Sequence, residues 1–186
     1  MIIGINWVGL TRLSSAQFSL RQADYSAFFK QAESYTPQMV VDGTLEFVGS
    51  RMRDGVKQIL EAAKKPKGDV NLEIERAVKN IVSLRIKIAN LPKITGGNKT
   101  NVFLAVTEND LTSSVTRGEN GGQTLKHAAV VRYLKDIGSV TNEDATLSTE
   151  IKLDKNWRRE NTSAVVFVQE AGSRRILGAA KISLKN

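Results

Sequence analysis

Cysteine is absent from this chain of 186 residues. Its absence excludes an intrachain disulfide, a thiolate nucleophile and a cysteine-ligated metal. It does not assign a compartment. Histidine occurs once, at His127. A general base needs a positioned partner and a metal site needs several ligands, and neighbours Lys126 and Ala128 supply neither. Aromatic residues make up only 6% of the chain. No apolar run approaches the roughly 20 residues a bilayer-spanning helix requires. The opening Met1-Ile2-Ile3-Gly4-Ile5-Asn6-Trp7-Val8 lacks a basic n-region and is too short for a signal peptide. It reads as a strand, as if the numbering began inside a fold.

What is present is ordinary for a globular chain: 41% hydrophobic and 25% charged residues. The length suits one large or two small domains. A net charge of +8 invites a nucleic-acid reading, but its distribution argues otherwise. Residues 1–67 hold nine Lys/Arg and six Asp/Glu, or +3; the remainder holds eighteen and thirteen, or +5. Both parts mix signs, and the densest cluster, Lys64-Lys65-Pro66-Lys67, sits at a linker. A solvated, mildly basic surface is favoured over a phosphate-binding stripe.

The first part reads as strand, helix, hairpin and helix. Ser14 with Gln17 forms a capping box for a helix reaching about Glu33. Phe18, Gln22, Tyr25, Phe29 and Ala32 recur on it at helical spacing, flanked by Phe28. Tyr35-Thr36-Pro37-Gln38-Met39-Val40-Val41-Asp42-Gly43, then Glu46-Phe47-Val48-Gly49-Ser50, reads as two short strands joined by a two-residue Asp-Gly turn. Ser50 is a candidate cap for a second helix with the apolar stripe Met52, Val56, Ile59, Leu60 and Ala63. Pro66 and Gly68 stop that helix. Beyond Gly68 the period becomes two. Val70, Leu72 and Ile74 alternate with polar residues, as do Val82, Leu84, Ile86 and Ile88. Further strand candidates are 102–106, 111–115, 146–153, 164–168 and 176–184. Short strands separated by Gly96-Gly97-Asn98, Glu108-Asn109-Asp110 and Ala171-Gly172-Ser173 indicate an antiparallel sandwich.

Two blocks resemble a known family, the secreted thioredoxin-like proteins of domain of unknown function 1223. One is the Tyr35–Gly43 segment with Phe47-Val48-Gly49-Ser50. The other is Thr116-Arg117-Gly118-Glu119-Asn120-Gly121-Gly122-Gln123-Thr124-Leu125-Lys126-His127-Ala128-Ala129-Val130-Val131-Arg132. The Gln17-Phe18 to Arg21-Gln22 region is also similar. The resemblance implies a thioredoxin-like domain followed by a β-sandwich, a periplasmic or secreted location, and a cis-proline at Pro37. It also implies that the cysteine-bearing first strand and helix are missing, so redox activity does not carry over. The gap would be filled by the Met1–Val8 strand pairing directly with Gln38–Val41, by a strand from another chain, or by upstream residues of a longer product.

The expected fold class is therefore α+β: a truncated thioredoxin-like α/β domain over 1–67 and an antiparallel β-sandwich over 68–186. Thr36, Pro37 and Gln38 are the candidate binding residues, with Thr36 reaching a peptide backbone by family analogy. Pro37 has a plainer reading as a trans proline opening an edge strand. Arg117, Glu119, Asn120, His127 and Arg132 form an expected polar network fixing a glycine-rich loop. That loop lacks the Gly-Lys-Ser/Thr ending of a phosphate loop. Trp157-Arg158-Arg159 reads as an exposed turn or strand end, with partner contact as the alternative. Asn98-Lys99-Thr100 and Asn161-Thr162-Ser163 fit the glycosylation sequon, a triplet common by chance. No catalytic residue, metal or cofactor is indicated. The expected function is a redox-inactive binding or scaffold protein, an accessory subunit whose protein partner completes the sheet. The alternatives are a fragment of a periplasmic thiol–disulfide protein with upstream cysteines, and a weak nucleic-acid binder.

Overall fold

Asp42 and Gly43 both take positive φ, 50° and 74°, as a hairpin of this hand demands. The computed structural model describes residues 2–5, 15–31, 35, 37–95, 99–116, 121–141 and 143–185. Among them strand dominates, with twelve strands against two α-helices. The chain divides into two units: Met1–Pro66 with Ser173–Ile176, and Lys67–Gly172 with Leu177–Asn186.

The first unit carries a three-stranded sheet of Ile2–Ile5 (β1), Gln38–Val41 (β2) and Leu45–Val48 (β3), in the order β1-β2-β3. Both pairings are antiparallel. The Ile2↔Val41 to Ile5↔Gln38 register sets β1 directly against β2. This overturns the expectation of a truncated thioredoxin-like α/β domain. Such a domain builds its sheet around parallel strands linked by a helical crossover, whereas every pairing of this sheet is antiparallel. A proline-led hairpin is compatible with any antiparallel meander, so the local signal was sound and the extrapolation from it was not. The turn itself is longer than expected. Val41 faces Leu45, so Asp42, Gly43 and Thr44 make a three-residue loop, closed by Thr44 N–H donating to the Val41 carbonyl at 3.2 Å.

Helix Ala16–Phe28 (α1) begins at Ser15, one residue after the expected cap, and Ser15 Oγ accepts from Phe18 N at 3.4 Å. Ser14 lies outside the described residues. The helix ends at Phe28, short of Glu33. Lys30 turns left-handed (φ 55°), and the Lys30 and Gln31 amides donate back to Ala27 and Ser26. That is a Schellman stop with lysine where glycine is usual.

Helix Met52–Ala63 (α2) is capped by Arg51 without a side-chain bond, not by Ser50. Its covered side packs Ile59 and Ala62 against Val41, Phe47, Met39 and Leu45. Val56 and Leu60, expected in the buried stripe, face solvent instead. The sequence offers two adjoining apolar stripes, and the small sheet covers one. Gly55 makes that packing possible, since a Cβ there would lie 2.5 Å from Phe47 Cε2. Gly55→Ala should gain about 1 kcal/mol of helix propensity yet collide with an immobile ring, a cost of about 1–3 kcal/mol. We expect net destabilisation, read as a lower urea midpoint; a raised midpoint would show that the helix shifts freely.

In the second unit, Asp69–Val78 (β4), Ile81–Ala89 (β5) and Ala145–Lys152 (β10) form one sheet, ordered β10-β5-β4. Thr100–Glu108 (β6), Val130–Gly138 (β9), Thr162–Glu170 (β11) and Ile176–Ser183 (β12) form another, ordered β12-β11-β6-β9. Leu111–Ser114 (β7) and Thr124–His127 (β8) make a separate ribbon. Val82, Leu84, Ile86 and Ile88 of β5 share one core with Val102, Leu104, Val106, Val166 and Val168 of the other sheet. Two antiparallel sheets around one core are the arrangement of a sandwich. At its margin Gly68 N–H donates to the Leu177 carbonyl at 2.8 Å. Gly178 lies so near that a Cβ would meet the Gly68 oxygen at 2.9 Å.

Candidate functional site

Pro37 and Gln38 are neighbours that the strand's alternation sends apart. Pro37 is exposed, and its carbonyl accepts from Gly49 N at 2.7 Å. Gln38 is wholly buried, and its Nε2 donates to Gln31 Oε1 at 3.1 Å while its Oε1 has no hydrogen-bond partner among the described residues. Thr36 and the bond joining it to Pro37 lie outside the described residues. Pro37 and Gln38 do not present one common binding face.

The glycine-rich loop residues Arg117, Glu119 and Asn120 also lie outside the described residues. The two remaining members of the expected network have different partners. His127, half-buried at the end of β8, shares a 2.7 Å hydrogen bond with Ser113 Oγ across the ribbon. Arg132, on β9, approaches Glu108 at 3.6 Å and stacks on Trp157, its guanidinium carbon 5.8 Å from the ring centroid.

Glu108, which the sequence reading passed over as turn punctuation, is the centre of that second cluster. It is 1% exposed at the last position of β6. Its Oε1 accepts from Arg158 N at 2.9 Å and lies 3.9 Å from Arg158 Nε. Among the described residues its Oε2 has no hydrogen bond and faces the Arg132 charge. The Arg158 guanidinium also donates to the Asn109 and Asp110 carbonyls. The available signal was an acid ending an apolar strand, where a buried carboxylate needs cations. The cluster ties the 154–161 turn to β6 and β9, and it offers no nucleophile.

A third constellation lies on α1, whose covered face is polar: Gln22, Tyr25 and Ser26. Tyr25 is fully buried, stacked on Phe29 with ring centroids 6.0 Å apart. The Arg21 and Arg174 guanidinium carbons lie 5.4 and 5.7 Å from its ring centroid. Burial lowers the Arg21 pKa below its ordinary value, and the Arg174 charge acts the same way, while Tyr25 and Asp24 oppose it.

Among the described residues no group of three or more His, Asp or Glu side chains is placed to hold a metal. No described helix is long and apolar enough to cross a membrane.

The family model "Protein of unknown function (DUF1223)" matches residues 9–169. The chain belongs to this family. No curated protein sequence matches it. Among solved structures, the DUF1223 chain is similar to protein AGR_C_4864 from Agrobacterium tumefaciens, with a TM-score of 0.70 and 17% identity over 97% of this chain and 77% of that one. It is also similar to HBP35 of Porphyromonas gingivalis, with a TM-score of 0.67 and 14% identity over 90% of this chain and 58% of that one. At such identities the likeness concerns the fold alone.

Among the described residues of this DUF1223 protein, the outer side of α2 is a further surface with exposed apolar side chains. Val56 and Leu60 stand there 52% and 59% exposed. Arg53, Lys57, Glu61 and Lys64 surround them, and Glu61 is paired with Lys64 at 2.7 Å.

Proposed function

We propose that this DUF1223 protein is a redox-inactive binding module, an accessory subunit that holds a partner protein. The lack of cysteine supports the redox-inactive part of this reading. The observation that carries the rest is the outer face of α2. Two aliphatic side chains one turn apart, rimmed by Arg53, Lys57 and Lys64, make a helix-docking ridge. Val56 and Leu60 are already about half covered, so burying the rest would return roughly 2–3 kcal/mol, short of the roughly 8 kcal/mol behind a micromolar complex. The cations must contribute, so the partner is an acidic amphipathic helix whose carboxylates meet them. A lipid surface is a poorer fit, because helices that lie in membranes bury a broad face of large apolar and aromatic groups. This ridge has two such groups and carries Glu61.

The test uses the full chain and two labelled helical peptides of identical apolar pattern, one acidic and one basic. The acidic peptide should bind saturably and weaken with added salt. Leu60→Asp should reduce its affinity by more than about tenfold, the worth of roughly 1.4 kcal/mol, with the circular dichroism unchanged. Equal binding of both peptides, or unaltered binding by the variant, would refute the reading. Binding to anionic vesicles without peptide binding would assign the ridge to lipid.

A further inference from the structure

We infer that the free edge of β10 is a self-docking strand, which pairs antiparallel with β10 of a second copy of this chain. The inference goes beyond the α2 reading and concerns the second unit.

A strand at the rim of a sheet presents unpaired N–H and C=O groups, and proteins blunt such rims with bulges, prolines or covering segments. The described rim strands of the sandwich are β10 and β4 in one sheet, β12 and β9 in the other. β4 carries a bulge between Ile74 and Arg76. β9 shifts register twice against β6. β12 has its Leu177 carbonyl taken by the Gly68 N–H at 2.8 Å. β10 has none of these devices. It runs 8 residues, Ala145–Lys152, in unbroken register with β5 and without glycine or proline. Among the described residues no backbone bond reaches it from its other side.

The charges on β10 favour a copy of itself as the occupant. Thr146, Ser148, Glu150 and Lys152 alternate on the outer, exposed face. Glu150 lies beside Ser83, whose Oγ donates to it at 3.0 Å, and Lys152 lies beside Ile81. Neither charge has an ion-pair partner among the described residues. When two identical antiparallel strands meet about a two-fold axis, matching their outer faces requires a register centred on a residue. A centre at Glu150 sets that acid against its own copy. A centre at Thr149 sets Glu150 against Ser148 and Lys152 against Thr146. A centre at Ile151 sets Glu150 of each copy against Lys152 of the other, so both charges are met twice over.

In that register the row across the joined sheet reads Val78, Ile81 and Lys152 from one copy, then Glu150, Ser83 and Arg76 from the other. Leu153 N–H donates to the Asn80 carbonyl at 2.7 Å, which keeps the chain alongside β5 for one residue past β10. Thr149 of one copy therefore faces Leu153 of the other. A ladder over 149–153 is short, and a contact of that size serves a weak, reversible dimer.

The experiment is sedimentation of the full chain at concentrations rising to about 1 mM, where weak complexes populate. The mass should climb toward that of two chains, and added salt should reverse the climb. Lys152→Glu and Glu150→Lys should each weaken self-association at least about tenfold, with circular dichroism unchanged. Mixed in equal amounts, these two variants should associate with each other, because every facing pair is again of opposite sign. A chain carrying both substitutions should dimerise as the wild type does. Leu60→Asp should leave the dimer intact, which separates this contact from docking on α2. A single-chain mass throughout the range would leave the rim to a strand of another protein and overturn the inference. A dimer indifferent to both single variants, or a mixture that stays monomeric, would overturn it too.

Discussion

Glu108→Ala should lower the unfolding free energy by about 3–5 kcal/mol, the usual cost of breaking a buried ion pair by removing one partner. The carboxylate is 1% exposed and accepts the Arg158 amide. Its removal leaves that N–H without an acceptor. It also leaves the Arg132 guanidinium, only 20% exposed against Trp157, without a counter-charge. Glu108→Gln separates the two effects. It keeps an acceptor for Arg158 but loses the charge, so its cost should lie between alanine and wild type. Urea unfolding followed by tryptophan fluorescence reads both variants, because Trp157 belongs to the cluster. A double-mutant cycle with Arg132→Met isolates the pair. An alanine variant with an unchanged midpoint would show that Glu108 is solvated in a way its burial excludes.

Leu84→Ala should cost about 3 kcal/mol, within the range for emptying a packed leucine site. Leu84 is wholly buried on the middle strand of its sheet, in line with Val82, Ile86 and Ile88. The core draws side chains from both sheets, so the neighbours cannot close around the lost atoms without moving a strand. Ile81 begins the same strand at 44% exposure. Ile81→Ala should cost less than about 0.5 kcal/mol, as surface substitutions usually do. Equal losses at the two positions would mean that β5 does not bury the face its alternation implies.

Much of the second unit was legible because its strands obey strict alternation. β5 alternates apolar and polar residues from Val82 to Ile88, and β4 does so as far as Ile74, where a bulge before Arg76 ends the pattern. β9 went unrecognised as a strand. Its pairing with β6 shifts register twice, between Val102 and Phe103 and between Val106 and Thr107. Each bulge turns the following side chains over, so no period of two survives in 130–138. The sequence reading of the candidate sites fared differently. Gln38 was singled out as a contact residue, yet it is buried and bonded to Gln31. Glu108 was read only as part of a turn and Tyr25 only as part of a helical stripe, and Arg174 was not singled out. The acid closing an apolar strand was a local signal for Glu108, but nothing local marks which cations will meet it, or a loop arginine that will meet a ring from the first helix.

By itself the sequence determined what acts over a few residues. It specified a left-handed turn at Asp42-Gly43, where φ is positive, because few other pairs adopt it cheaply. It specified the apolar face of β5, because successive side chains must point opposite ways. It also removed thiol chemistry outright. Tertiary structure alone decided that β1 would lie antiparallel against β2, which stripe of α2 would be covered, that Arg132 and Arg158 would close on Glu108, and that Arg174 would reach Tyr25. Those outcomes join residues far apart in the chain. Their loop-closure entropy is offset only once the whole set of contacts has formed, so no window of sequence contains the balance that selects them.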